Sequence, residues 1–340
     1  MKFVQQIINS FQSSEKTLVF INFKPVNAAY GGGNQFVNNL CTYLSKFDNI
    51  KITYKLKRNI DIYLIIDIRK GEHKVYPFDR IYSHKIKNKK GIIICRVNDS
   101  DITRENKIRE KAILENINKI DHFVFNSLFI KSYYFNKYPA FIATKNSVIF
   151  NTANPKYFFP TNDRKLSSSK IKIVTHHFSD NINKGYKFYY ELFNYCKTHD
   201  NLEFIFIGRK FNDNYIFDSN NVPITGPFKD KELGEKLQEC DMYISASIND
   251  AGPMHVVEAL ACGLPILYIE DEGGGKDICE LADEKVGEAF LNFEDLTHKI
   301  QVIIDNYDTY TNNIYNNIHL YNSDACYSKF YDLIRELRNK

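Results

Sequence analysis

With 340 residues the chain is long for one hydrophobic core and well sized for two. A composition of 44% hydrophobic and 25% charged residues excludes a disordered or fibrous chain, and a net charge of +4 from 45 basic and 41 acidic residues is too small for a nucleic-acid binder. Seven cysteines, an odd number with no Cys-x-x-Cys pair, argue against a disulfide framework or zinc cage and point to a reducing, cytoplasmic setting.

Residues 1–11 carry Gln5, Gln6 and Asn9 among apolar positions, which predicts an amphipathic helix rather than a secretory signal. Strands are predicted over 17–23, 50–54, 62–67, 92–95, 122–125 and 147–150, with helical patterns between them, as at 35–47 and 105–120. The apolar runs 62–66 and 92–95 fall far short of the roughly 20 residues a bilayer requires. Around 155–170 the periodicity fails and Pro, Asn, Asp and Ser accumulate, which reads as a linker between a first domain at 1–160 and a second at 170–320. The second domain restarts with predicted strands over 171–175, 203–207, 223–225, 242–246 and 265–269. Strand and helix alternating in this way predict an α/β chain of two Rossmann-like units with parallel sheets. At the end of the chain Tyr327, Phe330, Tyr331, Ile334 and Leu337 lie at helical spacing, so a helix over 323–339 should cross back to cover the first domain.

The segment 243–277 reads as strand, loop, helix, strand, loop, helix. Asp250, Ala251 and Gly252 form its first loop and Pro253 suits a first helical turn, so the amides of Met254 and His255 should project from a positive helix start where a diphosphate would be stabilised. Glu258, one turn on and three residues from His255, is placed to accept the hydroxyls of a ribose attached to that diphosphate, and Asp250 those of a sugar at its far end. In isolation, an Asp and a Glu eight positions apart are more often a helix cap and a surface carboxylate.

The run Glu258-Ala-Leu-Ala-Cys-Gly-Leu-Pro265, followed by Gly273, Gly274, Gly275 and Asp277, resembles the donor site of glycosyltransferase family 4, in which a pair of glutamates eight residues apart opens such a run and a Gly-Gly loop follows the next strand. Gly31, Gly32, Gly33, Asn34 and Gln35 resemble the family's N-terminal glycine-rich loop, Asn126, Ser127 and Asn151 its strand-end positions, and Asn183, Lys184 and Gly185 its Lys-Gly turn. Gly226, Pro227 and Phe228 resemble its base-contacting loop. The resemblance implies a GT-B fold, two Rossmann-like domains across a cleft, and a retaining, metal-independent transferase whose substrate is a UDP- or GDP-linked sugar and which needs no other cofactor. It assigns Glu258 to the donor ribose, Asp250 to the transferred sugar and Lys184 to the diphosphate. Gly226 to Phe228 would flank the base, with Gly252, Met254 and His255 at the phosphates. Gly31 to Asn34 would approach a phosphate or acceptor. Two positions depart from the pattern. Asp250 stands where the family has Glu, and His176, His177, Phe178 and Ser179 occupy the stretch that carries its phosphate-binding arginine, so His176, His177 or Arg209 is left to supply that contact.

Other motifs carry less. Gly31 to Gly33 do not spell Gly-x-Gly-x-x-Gly and no acidic residue ends the next strand, which argues against a dinucleotide site. Asp99-Ser100-Asp101 has the form of a metal-binding Asp-x-Asp but reads better as an Asp-rich turn or an acceptor contact, and adjacent His176 and His177 point in opposite directions, so no metal ligand set is expected. Lys85, Lys87, Lys89 and Lys90 form a solvated loop that would meet an anionic membrane surface if the acceptor were lipid-linked. The expected partners are therefore a nucleotide sugar and a glycan or lipid-linked acceptor, with peripheral membrane association in the latter case. Alternative readings are a nucleotide-sugar epimerase on the same scaffold and a nucleotide-sugar-binding subunit without turnover.

Overall fold

The computed structural model describes residues 16–26, 32–69, 75–103, 108–161, 163–179, 181–209, 222–270 and 273–339. The helix expected at 1–11, and Gly31, lie outside the described residues.

Strands β1 (Thr17–Ile21), β2 (Ile50–Thr53), β3 (Ile62–Ile65), β4 (Ile92–Val97), β5 (His122–Phe125) and β6 (Asn146–Val148) form one sheet in the order β2-β1-β3-β4-β5-β6. Strands β7 (Ile171–His177), β8 (Leu202–Gly208), β9 (Ile224–Thr225), β10 (Met242–Ser245), β11 (Ile266–Ile269) and β12 (Gly287–Phe290) form another in the order β12-β11-β10-β7-β8-β9. Neighbours in both sheets pair in parallel, from Thr17 opposite Ile50 in the first to Ile171 opposite Leu202 in the second. Parallel strands need crossovers that bury both faces of a sheet, which is why β3 and β5 are continuous apolar runs rather than alternating ones.

The first sheet is covered by α1 (Gly32–Leu44), α2 (Phe78–Asn88), α3 (Ile108–Leu114) and α4 (Leu128–Lys137). The second is covered by α5 (Tyr186–Lys197), α6 (Asp230–Gln238), α7 (Met254–Ala261), α8 (Gly274–Cys279), α9 (Phe293–Asp305) and α10 (Tyr307–Asn316). The terminal helix α11 (Ser323–Arg338) lays Tyr327, Phe330, Ile334 and Leu337 against Val19, Ile21 and Leu64 of the first sheet, with the Phe330 ring 5.2 Å from that of Phe36. The chain therefore crosses between the domains twice. The two crossings run side by side, the Ala153 amide donating to the Tyr321 carbonyl at 2.8 Å.

Three expectations need correction. The helix expected over 105–120 is shorter: α3 ends at Leu114 and a single tight turn, Ile117–Lys119, follows, because Asn116 turns its amide back onto the Ala112 carbonyl at 2.8 Å. Gly32 and Gly33 are not loop residues but the first turn of α1. Strand β12 was not foreseen, since Gly287, Glu288 and Ala289 carry no strand signal.

Arg164, in the segment joining the domains, donates to three main-chain carbonyls at helix ends: Cys240 at 2.5 Å, Gln238 at 3.4 Å and Cys262 at 3.0 Å. Its guanidinium satisfies carbonyls left over at the ends of α6 and α7, where a positive charge also complements the helix dipoles. Arg164→Met keeps the apolar stem but leaves those carbonyls without donors, and should destabilise the second domain by about 2–4 kcal/mol, read as a shift in its urea unfolding midpoint.

Candidate active site

In open parallel sheets, ligands bind beyond the carboxyl ends of the strands, where strand order reverses. In the second sheet that point lies between β7 and β10, and the residues leaving those strands build a polar cluster. After β7 the chain makes a tight turn at Ile182–Lys184 and enters α5 through Gly185, whose φ is +79° and where an added Cβ would lie 2.1 Å from the Ala246 carbonyl oxygen. Only glycine fits there, and the turn it permits aims Lys184 across the strand ends. The Lys184 Nζ donates to Asp250 Oδ2 at 2.5 Å. Both side chains are about one-fifth exposed.

Asp250 is held by the main chain on both sides: the Gly274 amide donates to its carbonyl at 2.8 Å and the Gly252 amide to its Oδ1 at 3.3 Å. Pro253 precedes α7, and the Val256 and Val257 amides turn back to its carbonyl at 3.2 and 3.5 Å. One turn on, Glu258 is buried, its Oε2 2.9 Å from His176 Nε2 at the end of β7. Its Oε1 accepts from Gln35 Nε2 of α1, in the other domain, at 3.2 Å.

The first domain closes over this cluster through more than Gln35. Asn151 accepts from Arg96 at 2.6 Å and donates to the Gly252 carbonyl at 2.7 Å, while the Arg96 guanidinium stacks 3.9 Å from the centre of the Phe36 ring. Asn126 lies so near Gly252 that a Cβ there would come within 2.6 Å of its side-chain amide. The Phe129 amide at the start of α4 donates to Asp277 Oδ2 of α8 at 2.6 Å. Burial raises the pKa of that carboxyl, partly offset by the amides it accepts from.

The structure thus brings Lys184, Asp250, Gly252, Met254 and Glu258 together; Met254 also faces α1, since a Cβ at Gly32 would lie 3.3 Å from its Cγ. Gly226, Pro227 and Phe228 form the turn after β9, with Gly226 and Pro227 exposed and Phe228 packed on the core. Arg209 is exposed beyond β8, outside the hydrogen-bonded set. Other expected site residues do other work. Asn34 spends both ends of its amide on the main chain of Val26, at 2.8 and 2.9 Å. The last residue of β7, His177, is buried, its Nε2 2.7 Å from the Tyr189 hydroxyl. The His255 ring turns towards β10, with Nε2 2.9 Å from Ser245 Oγ, so only its main chain remains available at the helix start. Asp99 pairs with Arg109 at 3.3 Å and Asp101 accepts from the first amides of α3, which makes Asp99-Ser100-Asp101 a capping turn. That Gln35, Asn151 and Asp277 bond across the domains, with Arg96 bracing Asn151 from within the first, was not expected, because the motifs that contain Gln35, Asn151 and Asp277 give no sign of their partners.

Burial pushes the pKa values of His177 and His255 well below 6.5, with His255 and Lys184 adding repulsion at His177, and Lys184 and His176 at His255. Unfolded imidazoles take up protons below about pH 6.5 whereas these two stay neutral, so the unfolded state binds more protons and stability falls as pH drops. The loss should approach roughly 2.7 kcal/mol per pH unit below about pH 6 for the two together, and His177→Gln with His255→Gln should flatten it in urea titrations.

Two parallel Rossmann-like sheets facing each other, with a terminal helix returning to the first, are the GT-B architecture. Residues 160–319 match the family model for glycosyl transferases group 1. No curated protein matches the chain. Among solved structures, a sucrose-phosphate synthase from Thermosynechococcus elongatus superposes with a TM-score of 0.68 at 13% identity, over 95% of this chain and 99% of that one. Anabaena HepE in complex with UDP superposes with a TM-score of 0.66 at 12% identity, over 94% of this chain and 100% of that one. The pneumococcal O-GlcNAc transferase GtfA, in complex with UDP and GlcNAc, does so with a TM-score of 0.63 at 12% identity, over 82% of this chain and 57% of that one.

Proposed function

We propose that the protein is a glycosyltransferase that moves a sugar from a nucleotide-sugar donor to a glycan, lipid-linked or other hydroxyl-bearing acceptor, with retention and without a divalent metal, in the manner of glycosyltransferase family 4. The observation that carries this reading is the convergence of Lys184, Asp250, the start of α7 and Glu258 at the reversal point of the second sheet, on the side that meets the first domain. The diphosphate lies at the α7 start and Glu258 accepts the ribose hydroxyls. Lys184 neutralises the charge that builds on the departing diphosphate, which is electrostatic catalysis of the leaving group. Asp250 holds the Lys184 ammonium in place and accepts a hydroxyl of the transferred sugar. The turn at Gly226 to Phe228 flanks the base. The acceptor enters from the first domain, and closure of the cleft aligns it with the donor and excludes water.

UDP is favoured over GDP, because HepE and GtfA, similar in fold, are structures with UDP bound. The setting is cytoplasmic; for a lipid-linked acceptor, exposed Lys87, Lys89 and Lys90 are the residues that would touch an anionic membrane surface. Among the described residues no helix is long and apolar enough to cross a membrane. The test is a thermal-shift panel of nucleoside diphosphates and nucleotide sugars, followed by assay of diphosphate release. A ligand at about 100 times its Kd should stabilise the fold by about 2.7 kcal/mol, so one nucleotide class should stand out. A flat response across the panel at millimolar concentration rejects the reading.

A further inference from the structure

We propose that His176 is the positioning residue for Glu258, fixing which carboxylate oxygen is presented to the donor ribose; the inference rests on the donor reading above. His176, the last residue but one of β7, is 3% exposed, its ring enclosed by the rings of Tyr243, His255 and Phe178 at centroid distances of 5.5, 6.0 and 6.2 Å. Its main-chain amide donates to the Tyr243 hydroxyl at 3.0 Å, so neither ring nor backbone has room to swing. Nε2 lies 2.9 Å from Glu258 Oε2, while Nδ1 is buried and has no partner among the described residues. A proton on Nε2 and none on Nδ1 satisfies both facts, since a carboxylate only accepts and a bare ring nitrogen costs less to bury than an unpaired N–H.

The other contacts of the carboxylate show why this one matters. Gln35 reaches Oε1 from the first domain, so that bond is lost whenever the domains separate. Lys184, the nearby cation of the second domain, is engaged by Asp250. His176 is therefore the partner that stays with Glu258 in every domain arrangement, holding Oε2 inward and leaving Oε1 towards the cleft, where ribose hydroxyls would be accepted. The same geometry accounts for the missing family arginine: the imidazole at that strand end serves the ribose carboxylate and not the phosphates.

A glutamine amide nitrogen can occupy the place of imidazole Nε2, whereas that of asparagine falls at Nδ1, where the structure has no acceptor. UDP, 2′-deoxy-UDP and 3′-deoxy-UDP, with the GDP series run alongside, should be titrated calorimetrically against the wild-type chain, His176→Gln and His176→Asn. The wild type should bind the deoxy forms roughly tenfold more weakly. His176→Gln should keep affinity within about threefold and preserve that penalty, while His176→Asn should lose about tenfold for UDP and show almost no penalty. Equal losses in the two variants, or an intact penalty in His176→Asn, overturn the role of His176 and leave the donor reading standing. Failure of the wild type to bind any nucleotide removes both. Nitrogen-15 spectra of the wild-type imidazole supply a check that needs no variant: a protonated Nε2 is expected, and a protonated Nδ1 refutes the proposal.

Discussion

Lys184→Ala should lower kcat by roughly 10² to 10³ while changing the donor Kd far less, because the ammonium is asked to neutralise charge that appears only as the diphosphate departs. The structure sharpens the expectation. Lys184 and Asp250 form one unit, joined at 2.5 Å, and Asp250 is aimed by the amides of Gly252 and Gly274 through its side chain and its main chain respectively. Removing Asp250 should therefore mislay the ammonium, and the double variant Lys184→Ala with Asp250→Ala should be little worse than the more severe single one. Lys184→Arg should recover part of the rate, since charge is retained but the compact geometry of an ammonium is not. Steady-state rates of nucleoside diphosphate release measure all four proteins. A Lys184→Ala variant within a few-fold of the parent kcat would remove the leaving-group role.

The second large effect falls on binding. Glu258→Ala should weaken donor binding about 100-fold or more, since hydrogen bonds to a charged acceptor contribute about 1.5–3 kcal/mol each and two ribose hydroxyls would lose theirs. It also strips His176 and Gln35 of a shared partner in a buried place, so the melting temperature should fall too. Glu258→Gln separates the two consequences. The amide oxygen can still accept from His176, so the fold should be nearly as stable as the parent, but the side chain has lost its charge and turns an NH2 group in place of Oε1 towards the cleft, where a ribose diol needs an acceptor. Calorimetric titration with UDP alongside thermal unfolding distinguishes the outcomes. Parental affinity in a folded Glu258→Ala protein would show that this carboxylate is structural only.

Much of the framework was legible because the local signals were strong and agreed. The runs of Ile, Val and Phe in β1, β3, β5 and β7 announce strands buried on both faces, and the stripe Tyr327, Phe330, Ile334, Leu337 needs an apolar surface to cover. Strand β12 is the counterexample. Its Glu288 is buried, accepting from Tyr310 at 2.5 Å, Lys285 at 2.9 Å and Lys299 at 3.2 Å, and burial of a carboxylate by partners from an adjoining loop and two later helices leaves no trace in a four-residue window.

The candidate site divides along the same line. Pro253, Glu258 and the lysine-glycine turn at Lys184 and Gly185 are local features, set by cap chemistry and by the conformational freedom of glycine, and they can be read along the chain. Which side chain faces which partner is a matter of three dimensions. That His176 and not His177 meets Glu258 depends on which side of β7 the helix α7 packs, and Gln35 reaches the same carboxylate only because the two domains close. Asn34, beside Gln35, is taken up by the Val26 main chain instead, since a side chain one position along a helix points about 100° away. Hydrogen bonds between residues more than 200 positions apart leave no periodicity to detect, so the sequence could name the chemistry of the pocket while the packing of β7, α7 and α1 chose the atoms that perform it.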